Sequence, residues 1–307
     1  MFAFLIRRIL TAIPTLFVIV TIAFFLMRVA PGGPFDLERP LQATVMANLE
    51  RIYHLNEPLL IQYWYYLQNV LAGDFGPSFI YRDFSVAELI LDGLPVSIQL
   101  GGFALLLAIL VGIPAGTIAA LHQNRGIDYS VMGFAMIGVT IPNFVLAPLL
   151  SLIVGVYLGW LPAGGWGGGA IANKVLPIVT LAMLQVAIIA RLTRGSMLEA
   201  LRSDHVRTAR AYGLPGWNVV IVHALRGALL PVVSYLGPAA AALLTGSVVI
   251  EVIFEVPGVG RYFVQGALNR DYTLVMGTVV LIAGFIVVFN LVVDLLYSLL
   301  DPRVRYD

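Results

Sequence analysis

Long apolar runs alternate with short polar joints along this chain. Uncharged stretches lie between Arg8 and Arg28, Asp92 and Arg125, Asp128 and Lys174, Lys174 and Arg191, Arg226 and Glu251, and Asp271 and Asp294. A helix crossing about 30 Å of hydrocarbon needs roughly 20 apolar residues. Each stretch supplies one crossing. The fourth borrows residues as far as Thr193, and the third has room for a helix plus the uncharged loop "AGGWGGGA" at 163–170. Lipid offers no partner to unpaired backbone groups, so the crossings are helices. The alternating short segments of a transmembrane barrel are absent. The pattern predicts an all-α integral membrane protein with six transmembrane helices, near 9–27, 95–121, 129–158, 175–193, 228–253 and 273–300. The first run is longer than a signal core, and no small-x-small cleavage site follows "FFLMRVAPGG", so it counts as helix 1.

A polar segment, 30–93, separates helices 1 and 2. Within it, "EPLLIQYWYYLQNVLAG" (57–73) places Leu59, Leu60, Tyr63, Trp64, Leu67, Val70 and Leu71 at helical spacing. Such a helix suits a membrane interface or packs on its own outer domain. Pro95 is acceptable in a first turn. Pro114, between Gly112 and Gly116, predicts a kink in helix 2. Pro142 and Pro148 fall inside helix 3. The small residues of "GPAAAALLTGS" (237–247) allow close helix approach in helix 5.

Composition agrees. The chain is 60% hydrophobic and 11% charged, against roughly a quarter charged in soluble domains. With the termini cytoplasmic, eleven of the 18 Lys and Arg residues fall on inner segments and seven on outer ones, which favours that orientation. There is no cysteine, so disulfides and thiolate metal sites are excluded. The four histidines are scattered, and no metal site is expected. The sole lysine, Lys174, precedes Val175, whereas a phosphate-binding loop requires Gly-Lys followed by Ser or Thr. Any ATP used must be bound by another chain.

One segment departs from the lipid-soluble pattern. Residues 202–231, "RSDHVRTARAYGLPGWNVVIVHALRGALLP", fall on the cytoplasmic side. Asp204 to Tyr212 reads as a short helix, with Ser203 placed to cap it and Asp204 near the positive end of its dipole. Gly213 is a left-handed stop and Pro215 follows. Arg207 and Arg210 share a face. A second amphipathic helix leads from Gly216 towards Pro231. A mere topology-setting loop is shorter as a rule; helix-start and helix-stop signals favour a docking element.

The stretch "EALRSDHVRTARAYGLPGWNVVIVHALRGALLPVVSYLGP" (199–238) resembles the signature loop of permease subunits in binding-protein-dependent ABC importers, in the dipeptide and oligopeptide branch. So do "FLIRRILTAIPTLFVIVTIAFFLMRVAPGGPF" (4–35), "GDFGPSF" (73–79), "VIEVIFEVPGVGRYFVQGALNRDY" (249–272) and "VDLLYSLLDPRVRY" (293–306), in order along nearly the whole chain. The family signature is E-A-A-x-x-x-G. Here Gly213 matches the glycine and Ala209 the second alanine, while Arg207 and Thr208 stand at the glutamate and first alanine. The peptide branch departs in the same way.

The resemblance implies residues 1–29 as N-terminus and helix 1, 30–93 as an extracytoplasmic segment, and 94–307 as the permease core with a coupling loop at 194–228. It implies a coupling helix carrying Asp204, Arg207, Thr208, Ala209, Arg210 and Gly213, docked in a groove of a separate ATPase. The expected setting is a bacterial inner membrane. The expected partners are a second homologous permease, two ATP-binding subunits that hold ATP and Mg, an extracytoplasmic peptide-binding protein touching 31–94 and 254–272, and the lipid bilayer. No nucleic acid is expected, and no catalysis by this chain.

Intramembrane acids normally mark function. Glu251 and Asp294 are the candidates for the cargo path, or else are interfacial residues or structural partners for an arginine. Tyr235, Asn143 and Gln185 are further lining candidates. A proton-coupled secondary transporter working through Glu251 or Asp294 is the competing class, disfavoured by the scarcity of buried acids and the large docking segment. Within the ABC family, dipeptides, glutathione, nickel chelates and oligosaccharides remain alternative cargo.

Overall fold

The computed structural model describes residues 2–29, 56–81 and 83–300, with side chains in those ranges except at 2–9, 245–246 and 293–300. Much of segment 30–93, expected to be extracytoplasmic, and the C-terminal motif beyond residue 300 therefore lie outside the described residues. The elements are α1 (Phe2–Val29), α2 (Leu59–Leu71), α3 (Val86–Leu121), α4 (Gly126–Thr140), α5 (Asn143–Leu150, continued by a wide turn, Ser151–Tyr157), α6 (Ile171–Ala200), α7 (Asp204–Ala211), α8 (216–228), α9 (Leu230–Ile253), α10 (Val259–Leu268) and α11 (Tyr272–Leu300). Among the described residues there is no strand beyond an isolated bridge between Pro77 and Ser85. α1, α3, α6, α9 and α11 are each long and apolar enough to cross a membrane. α4 and α5, with the wide turn, form a pair bent by 103° that supplies a sixth crossing if counted as one span.

Three expectations change. α3 begins at Val86, well before Pro95, because Ser85 and Glu88 form a capping box: the Ser85 hydroxyl accepts the Glu88 amide and the Glu88 carboxylate accepts the Ser85 amide. Pro95 therefore lies inside the helix rather than in its first turn, and Pro114 lies inside the same helix, as expected. The third predicted crossing is not continuous. Ile141, forced out of the helical region ahead of Pro142, adopts φ −88 and ψ 116, and the chain turns there. Pro148 is carried inside α5 without a comparable break.

α6 is the axial element, with Thr180, Ile189, Thr193 and Met197 fully buried. α3 lies directly on it through Gly112 and Gly116. A Cβ at Gly112 would stand 2.8 Å from Ile189 Cγ2, and one at Gly116 would press on the Ala190 carbonyl and stand 2.7 Å from Thr193 Cβ. In lipid, helix association depends on such close packing. The "VGIPAG" motif thus serves contact between α3 and α6. Leu100 and Ala104 of α3, Leu176 and Leu181 of α6, and Leu243, Ile250 and Phe254 at the end of α9 fill the core between them. The glycine-rich loop closes over that end. Gly165, Gly167, Gly168 and Gly169 all have positive φ, and the Gly165 amide donates to the Phe254 carbonyl at 2.7 Å.

α2 packs one face on the end of α1, with Phe24 stacked on Tyr66 and the Thr21 and Tyr63 hydroxyls 2.6 Å apart. Its other face leaves Leu60, Trp64 and Leu71 exposed, which is surface suited to an interface. The packed face therefore rests on α1, and an outer domain of its own falls on residues outside the described ones. Asp271, fully buried before α11, fixes segment 78–80: Oδ2 accepts the Ser78 hydroxyl at 2.5 Å and the Phe79 amide at 2.9 Å, while Oδ1 accepts the Leu274 amide at 3.1 Å. Tyr81 donates to the Gln265 side-chain oxygen, and burial raises the pKa of its phenol, keeping it a donor.

Candidate functional site

α6 ends in a tight turn. Leu201, Arg202 and Ser203 amides donate to the Met197, Glu199 and Ala200 carbonyls at 2.9, 3.1 and 3.1 Å. Ser203 then becomes extended, with φ −67 and ψ 154, and α7 begins at Asp204. Ser203 occupies the predicted cap position without capping through its side chain. Its hydroxyl instead donates back to the Ala200 carbonyl at 2.6 Å, so the cap stabilises the turn rather than the helix start.

α7 is amphipathic. Val206 and Ala209 are buried against Met197 of α6, Val219, Ala224 and Ala228 of α8, and Ala120 of α3. The opposite face carries Asp204, Arg207, Thr208 and Arg210, all exposed. Arg207 lies 3.6 Å from Asp204, a loose, solvated pair of little strength, so the guanidinium is free to change partners. The Thr208 hydroxyl donates to the Asp204 carbonyl at 2.9 Å. Tyr212 and Trp217 extend the exposed surface beyond the helix.

The stop is a Schellman motif. The Gly213 amide donates to the Arg210 carbonyl at 2.9 Å and the Leu214 amide to the Ala209 carbonyl at 3.4 Å, with Gly213 at φ +73. A Cβ at Gly213 would meet nothing within 4 Å. Its glycine requirement is therefore torsional, not steric. His205 Nε2 lies 3.2 Å from the His223 carbonyl oxygen and ties α7 to α8.

Two further contacts brace the site, and both escaped the sequence reading. Arg202 Nη2 donates to Gln123 Oε1 at 3.2 Å. Arg194 grips Asp128 through two hydrogen bonds of 2.6 Å, from Nε to Oδ1 and from Nη2 to Oδ2. Asp128 Oδ2 also accepts the Asn124 amide at 2.9 Å. This fork clamps α6 to the start of α4 just ahead of α7. The only sequence signal was an acid and an arginine at the ends of neighbouring apolar runs.

Glu251 lies at the other end of α9 from α8 and does not join this site. It is fully buried. Oε1 accepts the Ser97 hydroxyl at 2.7 Å, Oε2 accepts the Gly260 amide at 2.7 Å, and Ser97 Oγ accepts the Val259 amide at 2.9 Å. Its partners are a serine and the first turn of α10, not an arginine, and it presents no surface to cargo. Asp294 falls within α11, and its side chain is outside the described residues. Tyr235 donates to Gln185 Oε1 at 2.7 Å, joining α9 to α6.

A short charged helix is seated on an apolar patch and strung between two long apolar helices. Residues 1–101 match the family model described as "Binding-prot-dependent transport system membrane comp, N-term", and residues 112–306 match "Binding-protein-dependent transport system inner membrane component". The chain belongs to this family. It is a multi-pass inner-membrane component of an ABC importer. It is 54% identical over 306 residues to the oligopeptide transport system permease protein OppB of Escherichia coli and of Salmonella typhimurium, each alignment covering 100% of both chains. It is 45% identical to the dipeptide transport system permease protein DppB of Bacillus subtilis, covering 98% of this chain and 97% of that one. The inward-facing MetNI methionine ABC transporter shares the fold, with a TM-score of 0.57 at 18% identity over 69% of this chain and 96% of that one. An amino acid ABC transporter with histidines gives a TM-score of 0.52 at 18% identity, over 71% and 94%. In this inner-membrane component, the second family model takes in α4 to α11, the clamp between Arg194 and Asp128, and the whole of α7.

Proposed function

We propose that this chain is a non-catalytic permease subunit of an ATP-driven oligopeptide importer, and that α7 is its coupling helix. The observation that carries the reading is the placement of α7: its apolar face is seated on α6 and α8, while Arg207 and Arg210 face outward. Identity of 54% along the full length to OppB supports the cargo. Arg207 and Arg210 make charge-assisted contacts to acidic groups or carbonyls of an ATPase. Two such ATPases hold ATP and Mg, and a second permease completes the passage. An extracytoplasmic peptide-binding protein delivers cargo to the opposite face. The α7 end is cytoplasmic, as are both termini. Reversing a two-state equilibrium from 1:99 to 99:1 takes about 5.5 kcal/mol, supplied through α7 by closure of the ATPases. Proton coupling through Glu251 is disfavoured by its full burial and its hydrogen bonds to Ser97 and Gly260.

The test is radiolabelled tetra-alanine uptake in proteoliposomes. With companion ATPases, a second permease and a binding protein present, uptake requires ATP; the purified chain alone hydrolyses none. ATP-independent uptake driven by a proton gradient would replace this reading with the secondary-transport one.

A further inference from the structure

The bend between α4 and α5 exposes backbone where a span has least reason to do so. The last ordinary helical bond of α4 runs from the Ile141 amide to the Ile137 carbonyl, 3.0 Å. The Gly138 carbonyl then faces Pro142, which has no N–H. The Val139 and Thr140 carbonyls find no amide among the described residues, because α5 restarts with Val145 and Leu146 donating to the Pro142 carbonyl at 2.9 and 3.0 Å. The Asn143 and Phe144 amides are correspondingly free of backbone acceptors among those residues. Asn143 Oδ1 is buried without a hydrogen-bond partner. A cavity of about 220 Å³ opens at this point, walled by 138–139 and 141–144 and by Leu184 of α6 and Val249 of α9.

Lipid cannot be the neighbour of these groups. Each unsatisfied backbone group in hydrocarbon costs several kcal/mol, and irregular backbone at membrane depth is tolerated where it is buried in protein or lines a watery cavity. The cavity is lined by Val139 at the end of α4, whose carbonyl is an acceptor, and by Asn143 and Phe144 at the start of α5, whose amides are donors. An extended peptide main chain presents the complementary alternation of N–H and C=O, independent of its side chains, as when a peptide adds to a sheet edge. Its remaining walls belong to α6 and α9, the two crossing helices that flank the α7 loop.

We propose that the 138–144 break is a cargo contact that binds the main chain of a peptide in transit. This rests on the peptide-importer reading. A contact of this kind admits varied side chains, and movement of α7 alters it through α6 and α9.

The test uses the complete importer in proteoliposomes. Benzoylphenylalanine replaces Phe144, which is 60% exposed at the cavity rim, and radiolabelled tetra-alanine is the cargo. Expected is light-dependent labelling of this position by the peptide during ATP-driven uptake. In parallel, Asn143→Leu lowers uptake of tetra-alanine and of tetraphenylalanine by the same factor, about tenfold, which corresponds to ~1.4 kcal/mol. Capture of only lipid or the second permease, or undiminished uptake by Asn143→Leu, overturns the contact while leaving the importer reading intact. Failure of the unmodified importer to take up either peptide removes the reading and this inference with it.

Discussion

Replacing Arg194 by methionine is expected to destabilise the protein by about 3–5 kcal/mol, the cost of stranding a buried partner charge. The Asp128 side chain is 2% exposed and the Arg194 side chain 26%. Both carboxylate oxygens are engaged by the guanidinium, and the geometry is the parallel fork that only arginine makes. Arg194→Lys keeps the charge and loses one of the two bonds, so it falls between wild type and Arg194→Met. The double variant Arg194→Met/Asp128→Leu recovers much of the loss, because no charge is left unpaired. Denaturant titration of the detergent-extracted protein, followed by intrinsic fluorescence, checks the order. Equal stability of Arg194→Met and wild type would show that water already solvates Asp128.

Glu251→Leu is the second large effect. It removes the acceptor from the Ser97 hydroxyl and the Gly260 amide together, in a site with no exposed surface. An unsatisfied buried donor costs about 1–3 kcal/mol, so two give roughly 2–6 kcal/mol, partly offset by apolar contact. Gly258 and Gly260 pack so closely on the carboxylate that a Cβ at either would strike it. The pocket is built for this group. Glu251→Gln retains one acceptor but sets an amide donor against a backbone donor, and lands between the two. The same titration reads the loss. Limited proteolysis at 254–258 reports whether α10 has come away from α9. An unaltered Glu251→Leu protein would mean that the α10 amides find other partners.

The long elements were legible because lipid imposes one rule, an uncharged run of sufficient length; α1, α9 and α11 obey it, while the shorter run of α6 suffices only by taking in Arg191. α2 was legible from its spacing, and α7 from its stop signal, since Gly213 and Pro215 have few alternative uses. The proline-bearing runs were not. Pro95, Pro114, Pro148 and Pro177 stay inside helices while Pro142 breaks one. Proline removes the same donor everywhere; whether the helix continues depends on what neighbouring helices supply, and a single sequence does not record neighbours. The capping box at Ser85 and Glu88 was readable, but Asp92 and Pro95 suggested a later start. Asp92 is exposed on α3, so it costs the helix nothing. The partners of Glu251 and Asp271 were hidden for a different reason. Both carboxylates bind backbone amides, which every residue carries, so no residue type marks them in advance.

The central claim is that work enters this membrane body through the charged face of α7. It is tested most directly by the peptide accumulated by the reconstituted importer when its permease carries Arg207→Glu and Arg210→Glu together. Acidic groups or carbonyls on the proposed ATPase would then face like charge, which costs several kcal/mol. Both side chains are exposed and outside the packed face of α7, so the variant inserts and folds as wild type does. Accumulation is expected to fall at least ~tenfold, the equivalent of 1.4 kcal/mol. Accumulation at the wild-type level, with the variant present in the assembled complex, would contradict the claim.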